Sequence, residues 1–235
     1  MARNPVPRIT PDEARQGLYI DFEGPREPAL CGLLEYDQSI DDITYAHLLL
    51  DEALFPAADW TKGVFRSSMA EVAERIIAAR DDPEGPRMVF AWSEREEKAL
   101  RAAGDAPLYS QAADSIVNAR RIAKRWKNLH HREVEFEKHP KKGRHRLINY
   151  LSLIGYEVPA DAGEGISADA VREMGGVLRQ GEQPDGDVSR AWSRCLITTS
   201  TTVRACAPSF SRSQAVSRSN THRPQSIDET LRPDS

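Results

Sequence analysis

The amino-acid sequence predicts an α/β domain with a mixed sheet, in which a three-strand antiparallel meander is followed by helix–strand units and then by a disordered tail. Three observations predict this class. Three short apolar runs separated by turn residues open the chain, the apolar spacing then becomes helical, and the composition turns rich in Ser, Thr and Arg near Asp185. The 235 residues, 40% of them hydrophobic and 29% charged, suit one core of ordinary size.

Each element follows from a local pattern. The strands are short apolar runs bounded by Gly, Pro or acidic turn residues, and short connections join antiparallel neighbours. The first helix has a Ser N-cap at 67 or 68, and the second is stopped by Gly104. The predicted strands are 18–23, 29–36, 43–50 and 88–92, and the predicted helices are 67–82, 93–104, 109–129, 144–155 and 167–179.

The chain is predicted to have three segments. Residues 1–16 form a polar N-terminal extension, residues 17–183 form the folded domain, and residues 184–235 form a disordered tail whose apolar residues follow no period. The N-terminus lacks the apolar core of a signal peptide, and no run is long enough to cross a membrane. Three widely spaced cysteines support neither a disulfide framework nor a zinc knuckle, so a reducing cytoplasm is expected.

The first predicted strand, GLYIDFEG, carries two acids. Alternate residues of a strand share a face, so Asp21 and Glu23 point the same way. Two adjacent carboxylates repel, and a divalent cation relieves the repulsion, because Mg²⁺ and Mn²⁺ prefer carboxylate oxygens. The simpler interpretation is that Glu23 ends the strand and faces solvent.

The chain resembles the RNase H-like fold of the DEDD exonucleases, in particular the branch of predicted RecB-family nucleases. The resemblance is carried by YIDFEG, the meander, the following helix and the buried strand. That family has a Tyr-Asn-x-x-Phe-(Asp/Glu)-x-x-x-Leu pattern after a later strand. AWSEREEKAL matches it with Glu96 at the acid and Leu100 at the apolar position, while Trp92 and Arg95 depart from it. A slip of one residue would make Glu97 the ligand. A further interpretation is that these acids only begin a helix.

The resemblance spans roughly residues 17–180 and implies a two-metal 3'–5' exonuclease acting on DNA or RNA. AADSIVNARRIAKRW resembles the family's next acidic segment, with Asp114 as its acid, and HRLINYLSLIGYEVP resembles a Leu-rich helix ending in Gly. It implies Asp21, Glu23, Glu96 and Asp114 as catalytic residues. Of these, Asp21, Glu23 and Glu96 would hold Mg²⁺ or Mn²⁺, with Asp21 bridging two ions that activate water and stabilise the leaving oxygen.

The family's closing motif, Leu-x-x-Tyr-Asn-x-x-Asp-(Cys/Val), has no match in this chain. CLITTSTTV occupies the expected place, at 195–203. Read from the third base of the Ile197 codon, permitted codons for these residues spell YNEHDC. We therefore hypothesise a frameshift, which would also explain the Ser/Thr/Arg composition beyond it. The coding DNA decides this: another frame without a YN-x-x-D pattern would refute it.

A basic segment lies between Arg120 and Arg146, where eleven Lys and Arg stand against three Glu, although the whole chain has a net charge of -4. Such a segment predicts a phosphate-binding surface for single-stranded DNA or RNA. A solvated helix face with local Glu pairs is the alternative. The predicted nucleic-acid-binding residues are Arg120, Arg121, Lys124, Arg125, Lys127, Lys141, Lys142 and Arg144.

Three functions therefore remain open from the sequence. The chain is a metal-dependent nuclease weakened by the missing acid, a catalytically dead nucleic-acid-binding remnant, or a plain α/β interaction domain. Titration with Mg²⁺ or Mn²⁺ and salt-dependent DNA binding distinguish them.

Overall fold

A computed structural model describes residues 8–25, 27–37, 40, 42–140, 144–158 and 167–219, with the backbone alone for residues 167 and 205–219. Its six strands form one mixed sheet in the order β4-β3-β2-β1-β5-β6. They are β1 (Leu18–Glu23), β2 (Leu30–Asp37), β3 (Asp42–Leu49), β4 (Val64–Arg66), β5 (Val89–Ala91) and β6 (Ile116–Asn118). β1, β2 and β3 pair antiparallel, whereas β4 is parallel to β3, and β5 and β6 are parallel to β1. The predicted α/β class and opening meander are confirmed.

The helices cover both faces of this sheet. They are α1 (Pro11–Arg15), α2 (Met69–Arg80), α3 (Arg95–Ala102), α4 (Pro107–Asp114), α5 (Ala119–His130), α6 (Leu147–Leu153), α7 (Ser167–Arg179) and α8 (Gly186–Ser219), and a 3-10 helix spans Glu52–Asp59. The predicted Ser N-cap of α2 is Ser68, which forms a capping box with Glu71. None of the described helices has the length and apolar character needed to cross a membrane.

The single helix predicted at 109–129 is wrong. The structure ends α4 at Asp114, inserts the three-residue strand β6, and begins α5 at Ala119. Val117 pairs with Phe90 of β5, so these apolar residues extend the sheet. Their spacing also fits a helix, and the tertiary pairing overrides that local preference.

The disorder predicted from residue 184 is also wrong for residues 186–204, which form the part of α8 that packs on the sheet. Trp192, Cys195, Thr199 and Val203 are all buried, and they recur at intervals of three or four residues. This is the spacing of one helix face. This helical spacing is hard to recognise in the sequence, because Cys and Thr, and not large apolar residues, occupy two of the four buried positions.

The segment interpreted as an N-terminal extension contributes to the core. Ile9 and Ala14 are buried in the same cluster as Phe90 and Val203. The hydroxyl of Tyr19 on β1 donates a hydrogen bond to the carbonyl of Ala14 at 2.6 Å. α1 therefore packs against the sheet and α8 rather than standing apart.

The two faces of β1 are packed by different layers. Leu18, Ile20 and Phe22 face a core cluster formed with α2, α3 and α4. Tyr19 faces the cluster that contains Val203 of α8. Because strand residues alternate, Asp21 and Glu23 lie on the second face, the one covered by α7 and α8.

Candidate functional site

The acidic residues of the site lie where β1 and β5 end. Asp21 and Glu23 occupy the carboxyl end of β1, and β5 runs parallel beside it with Ala91 opposite Ile20. Four residues after β5, α3 begins, and Glu96 stands in its first turn. Parallel strands bring their carboxyl ends to one edge, so the chain places the three acids together at that edge. We call Asp21, Glu23 and Glu96 the acid group.

Asp21 is the most perturbed member of this group. The residue is half-buried, and its Oδ2 atom is shielded from solvent and accepts no hydrogen bond among the described residues. Burial raises the pKa of Asp21 well above its usual range, and the charges of Glu23 and Glu96 raise it further. A buried carboxylate oxygen without a partner is costly. The site therefore favours a cation or proton at this oxygen.

Glu96 is the acid of α3 that faces the group. Its side chain is 3% exposed, and Ser93 Oγ donates a hydrogen bond to its Oε2 at 2.9 Å. Burial raises its pKa, while hydrogen bonds to its backbone and to Ser93 oppose this. Glu97 instead pairs with Arg101 at 3.2 Å on the outer side of the helix. Between the two residues left open by the sequence, the structure brings Glu96 to the acid group.

Arg95 places a positive charge beside these carboxylates. Its Nη2 donates a hydrogen bond to the carbonyl of Gly24, just after β1, at 2.8 Å. Its charge lowers the pKa of Asp21 and of Glu96, against the larger effect of burial. In the sequence, Arg95 stands out only as a departure from the family's pattern. Here it partly neutralises the acid group.

The acid group meets some of the requirements of a metal site. The unpartnered Oδ2 of Asp21 and the mutual repulsion of three carboxylates fit a hard dication such as Mg²⁺ or Mn²⁺. However, within the described part of the chain no three His, Cys, Asp or Glu side chains are arranged to hold a metal ion together. The residues thus provide an incomplete ligand set centred on Asp21.

α8 covers the sheet beside Asp21. Gly32 of β2 lies directly opposite Asp21, and a Cβ at Gly32 would overlap with Cγ2 of Thr199 and lie 3.0 Å from the Tyr45 hydroxyl. On the neighbouring strand, His47 Nε2 is 3.0 Å from the carbonyl of Leu196, which makes this nitrogen the donor. Burial lowers the pKa of His47 to about 4, so it stays neutral at physiological pH.

This interface contains polar atoms without partners. Besides Asp21 Oδ2, the hydroxyl of Tyr45, Oγ1 of Thr198 and Nε1 of Trp192 are shielded from solvent and lack a hydrogen-bond partner among the described residues. Most buried polar groups in native proteins are paired, so a cluster of four is unusual. α8 therefore packs closely against the sheet, but several buried polar atoms at this interface are not hydrogen-bonded.

Asp114 is not part of the site. It ends α4 rather than opening a helix, it is exposed, and it pairs with Arg101 at 2.5 Å. Asp114 precedes β6, which runs parallel to β5 and β1, and therefore lies toward the amino ends of these strands. The acid group lies at the carboxyl ends of β1 and β5. The predicted catalytic role of Asp114 is not supported by this placement.

The predicted basic residues divide between two environments. Arg120, Lys124 and Lys127 recur at i, i+4 and i+7 on α5, and Arg144 precedes α6. Lys127 is buried and its Nζ lies 5.6 Å from the Phe136 ring centre. Arg121 and Arg125 also belong to α5, on other sides of that helix. Lys141 and Lys142 fall outside the described residues.

Several residues near the site were missed from the sequence. Tyr150 on α6 is buried, its hydroxyl lies 2.6 Å from His145 Nδ1, and its ring meets that of Trp92 at 5.5 Å. Asn118 ends β6 and caps α5 by accepting a hydrogen bond from the Arg121 N–H. Asn118 was recognisable in principle, because Asn is a preferred N-cap residue and bonds only three positions ahead, whereas the tertiary contacts of Tyr150 left no signal in the sequence.

Comparison with known proteins adds no identity: no family model, curated protein or solved structure matches this chain.

Proposed function

We propose that this chain is a metal-dependent nuclease-like domain of the RNase H-like type, which binds single-stranded DNA or RNA and hydrolyses its phosphodiester bonds. The observation that carries the proposal is the shielded Oδ2 of Asp21, which has no hydrogen-bond partner among the described residues and whose carboxyl is repelled by Glu23 and Glu96. The meander, the following helix and the parallel strand β5 beside β1 support the fold type.

In this proposal Asp21, Glu23 and Glu96 would hold Mg²⁺ or Mn²⁺, which when bound supplies an activated water and charge stabilisation at the phosphate. The residues have distinct tasks. Asp21 and Glu23 are positioned by β1, and Ser93 orients Glu96 through its hydrogen bond. Arg95, anchored on Gly24, keeps a positive charge beside the group for an approaching phosphate. The resemblance to the DEDD exonucleases further implies 3'–5' exonuclease polarity.

The test is Mn²⁺ binding by calorimetry together with hydrolysis of a labelled single-stranded oligonucleotide. We expect weak binding and slow hydrolysis, both abolished in Asp21→Ala. Asp114→Ala is the matched control, because it removes an acid that pairs with Arg101 away from the group. Equal loss in both variants, or no Mn²⁺ binding by the unchanged chain, would refute the proposal.

A second candidate is a nucleic-acid-binding domain without catalysis. It is favoured by the lack of a three-residue ligand arrangement among the described side chains. The frameshift hypothesis can be tested with a variant in which YNEHDC replaces residues 198–203. If the hypothesis is right, this variant regains the missing acid in α8. Its Mn²⁺ affinity should rise by roughly 100-fold or more, since even losses of groups that merely orient ligands cost 10- to 100-fold. An unchanged affinity would favour the second candidate.

A further inference from the structure

Positive charges converge on one histidine between α5 and α6. Arg120, Lys124 and Lys127 share one face of α5, and Arg144 is adjacent to His145 in the chain. Burial lowers the pKa of His145, and the charges of Lys124, Arg120, Lys127 and Arg144 lower it further. These five residues, together with Tyr150, are called the cationic cluster; its members are Arg120, Lys124, Lys127, Arg144, His145 and Tyr150.

The geometry of the cluster is set by aromatic contacts. His145 Nδ1 lies 2.6 Å from the Tyr150 hydroxyl, and the Phe136 ring meets the Tyr150 ring edge-on at 4.9 Å. Lys127 Nζ lies over the same Phe136 ring. Lys127 is 8% exposed, and no carboxylate pairs with it among the described residues. Its Nζ is not among the shielded polar atoms without a partner, so the burial lies along the alkyl stem and the ammonium remains available to an anion.

The cluster adjoins the acid group. The backbone N–H of Arg120 donates to the carbonyl of Trp92 at 3.2 Å, and the Trp92 ring contacts Tyr150. Trp92 follows Ala91, the partner of Ile20, so Trp92 and Asp21 each come directly after the last residue pair of β1 and β5. Adjacent strands are about 4.8 Å apart. A strand of nucleic acid held by the cluster would therefore pass beside the acid group.

We propose that the cationic cluster binds a backbone phosphate of single-stranded nucleic acid. Lys124 and Arg120 contact the phosphate oxygens, Lys127 supplies charge from below, and the hydroxyl of Tyr150 holds His145 in place. The partly exposed rings of Trp92 and Phe136 lie close enough to stack on the flanking bases, which is how single strands are bound without sequence preference. The inference rests on the proposed function for its substrate class, but it requires no hydrolysis.

The test uses metal-free protein in EDTA, so that binding is separated from catalysis. The probes are an octathymidylate without terminal phosphates and, separately, inorganic phosphate. We expect the octathymidylate to raise the His145 pKa measured by NMR, because a bound anion opposes the four cations. We expect Lys124→Gln to weaken binding about tenfold and to reduce the slope of log K against log salt by about 0.7.

Lys62→Gln is the matched control, because it removes one exposed positive charge beside β4. Lys127→Met, checked for an unchanged melting temperature, is a second variant that removes the charge beside Phe136. An octathymidylate that leaves the His145 pKa unmoved, or equal effects of Lys124→Gln and Lys62→Gln, would overturn the inference. A rise produced by inorganic phosphate alone, with none from the octathymidylate, would assign the cluster to free phosphate and overturn it as well.

Failure of the proposed function gives a different pattern. Asp21→Ala should lose Mn²⁺ binding and hydrolysis yet keep metal-free octathymidylate binding. If the unchanged chain binds the octathymidylate through the cluster but shows no Mn²⁺-dependent hydrolysis, the cluster stands and the nuclease proposal fails. If hydrolysis is present and Lys124→Gln behaves as Lys62→Gln does, the cluster fails and the nuclease proposal stands.

Discussion

The helical layers on the two faces of the sheet differ in how completely their buried polar atoms are hydrogen-bonded. On the face of Leu18, Ile20 and Phe22, α2, α3 and α4 pack around an apolar core cluster, and the shielded Nδ2 of Asn118 at the end of β6 lacks a partner there among the described residues. On the other face, α8 leaves such atoms on Tyr45, Trp192 and Thr198. Both layers have a buried stripe at helical spacing. The difference shows that spacing positions a helix, whereas hydrogen-bond complementarity makes it specific.

The largest expected effect compares two valines with the same burial. Val72 of α2 is 0% exposed and Val203 of α8 is 1% exposed. Val72→Ala should lower the free energy of unfolding by about 2.5 kcal/mol through lost transfer energy and a cavity. Val203→Ala should cost only about 1 kcal/mol, because a layer with mismatched polar groups can relax around the cavity. Urea denaturation measures both, and equal costs would remove the contrast between the faces.

The close approach of α8 to β2 gives the second test. A methyl group at Gly32 would overlap with Thr199 Cγ2, so Gly32→Ala should destabilise the protein by about 2 kcal/mol. Thr199→Ser removes that methyl group, and the double variant should recover most of the loss. If the two changes are additive in denaturation experiments, α8 does not lie on Gly32.

The third test concerns pH. The folded protein raises the pKa of Asp21 above its unfolded value of about 3.9. Folding therefore favours the protonated form, and the free energy of unfolding falls as pH rises from about 4 through the higher folded pKa. Asn cannot ionise, so in EDTA Asp21→Asn should be more stable than the unchanged protein by about 1–3 kcal/mol at pH 7.

That advantage should shrink as pH falls toward about 4 and vanish below about pH 3, where Asp21 is protonated in both states. Added Mn²⁺ should reverse the sign at pH 7 if the ion binds Asp21, since it stabilises only the protein that retains the carboxylate. Asp114→Asn should change little at any pH. A loss of stability in Asp21→Asn at pH 7 without metal would contradict the assignment of a repelling acid group.

The smallest effect separates two tyrosine hydroxyls. The Tyr150 hydroxyl is 2.6 Å from His145 Nδ1, whereas that of Tyr45 is shielded and has no hydrogen-bond partner among the residues described. Tyr150→Phe should cost about 1 kcal/mol, and Tyr45→Phe should be neutral or stabilising by up to about 1 kcal/mol. Thermal denaturation at one pH compares them directly. A larger cost for Tyr45→Phe would show that its hydroxyl is satisfied, and the interface with α8 would then be better matched than described.

The sequence predicted those elements whose pattern is local. The meander at 18–50 and the capped helix at Ser68 could be recognised because turn residues and apolar spacing both lie within each segment. β6 could not, because three residues become a strand only through pairing with β5. α8 was missed for a related reason: Cys195 and Thr199 are buried by the sheet beneath them, which a count of apolar residues does not reveal.

The candidate site was predictable in the same uneven way. Alternation along β1 placed Asp21 and Glu23 on one face, but only the packing of α3 separates Glu96 from Glu97. The role proposed for Asp114 depended on a helix beginning where one in fact ends. Contacts between distant segments, such as that of Arg95 with Gly24, have no counterpart in residue spacing.

The short strand β4 covers only His47–Leu49 of its neighbour β3. Over Asp42–Ala46, no strand among the described residues pairs with the outer edge of β3. Ile43 on this stretch is 40% exposed. The unpaired amide and carbonyl groups of such a strand edge can hydrogen-bond to another extended chain. Asp42 is the charged residue on this stretch that disfavours such pairing. Concentrated preparations of this protein should therefore self-associate first along β3, and a lysine at position 43 should delay that assembly.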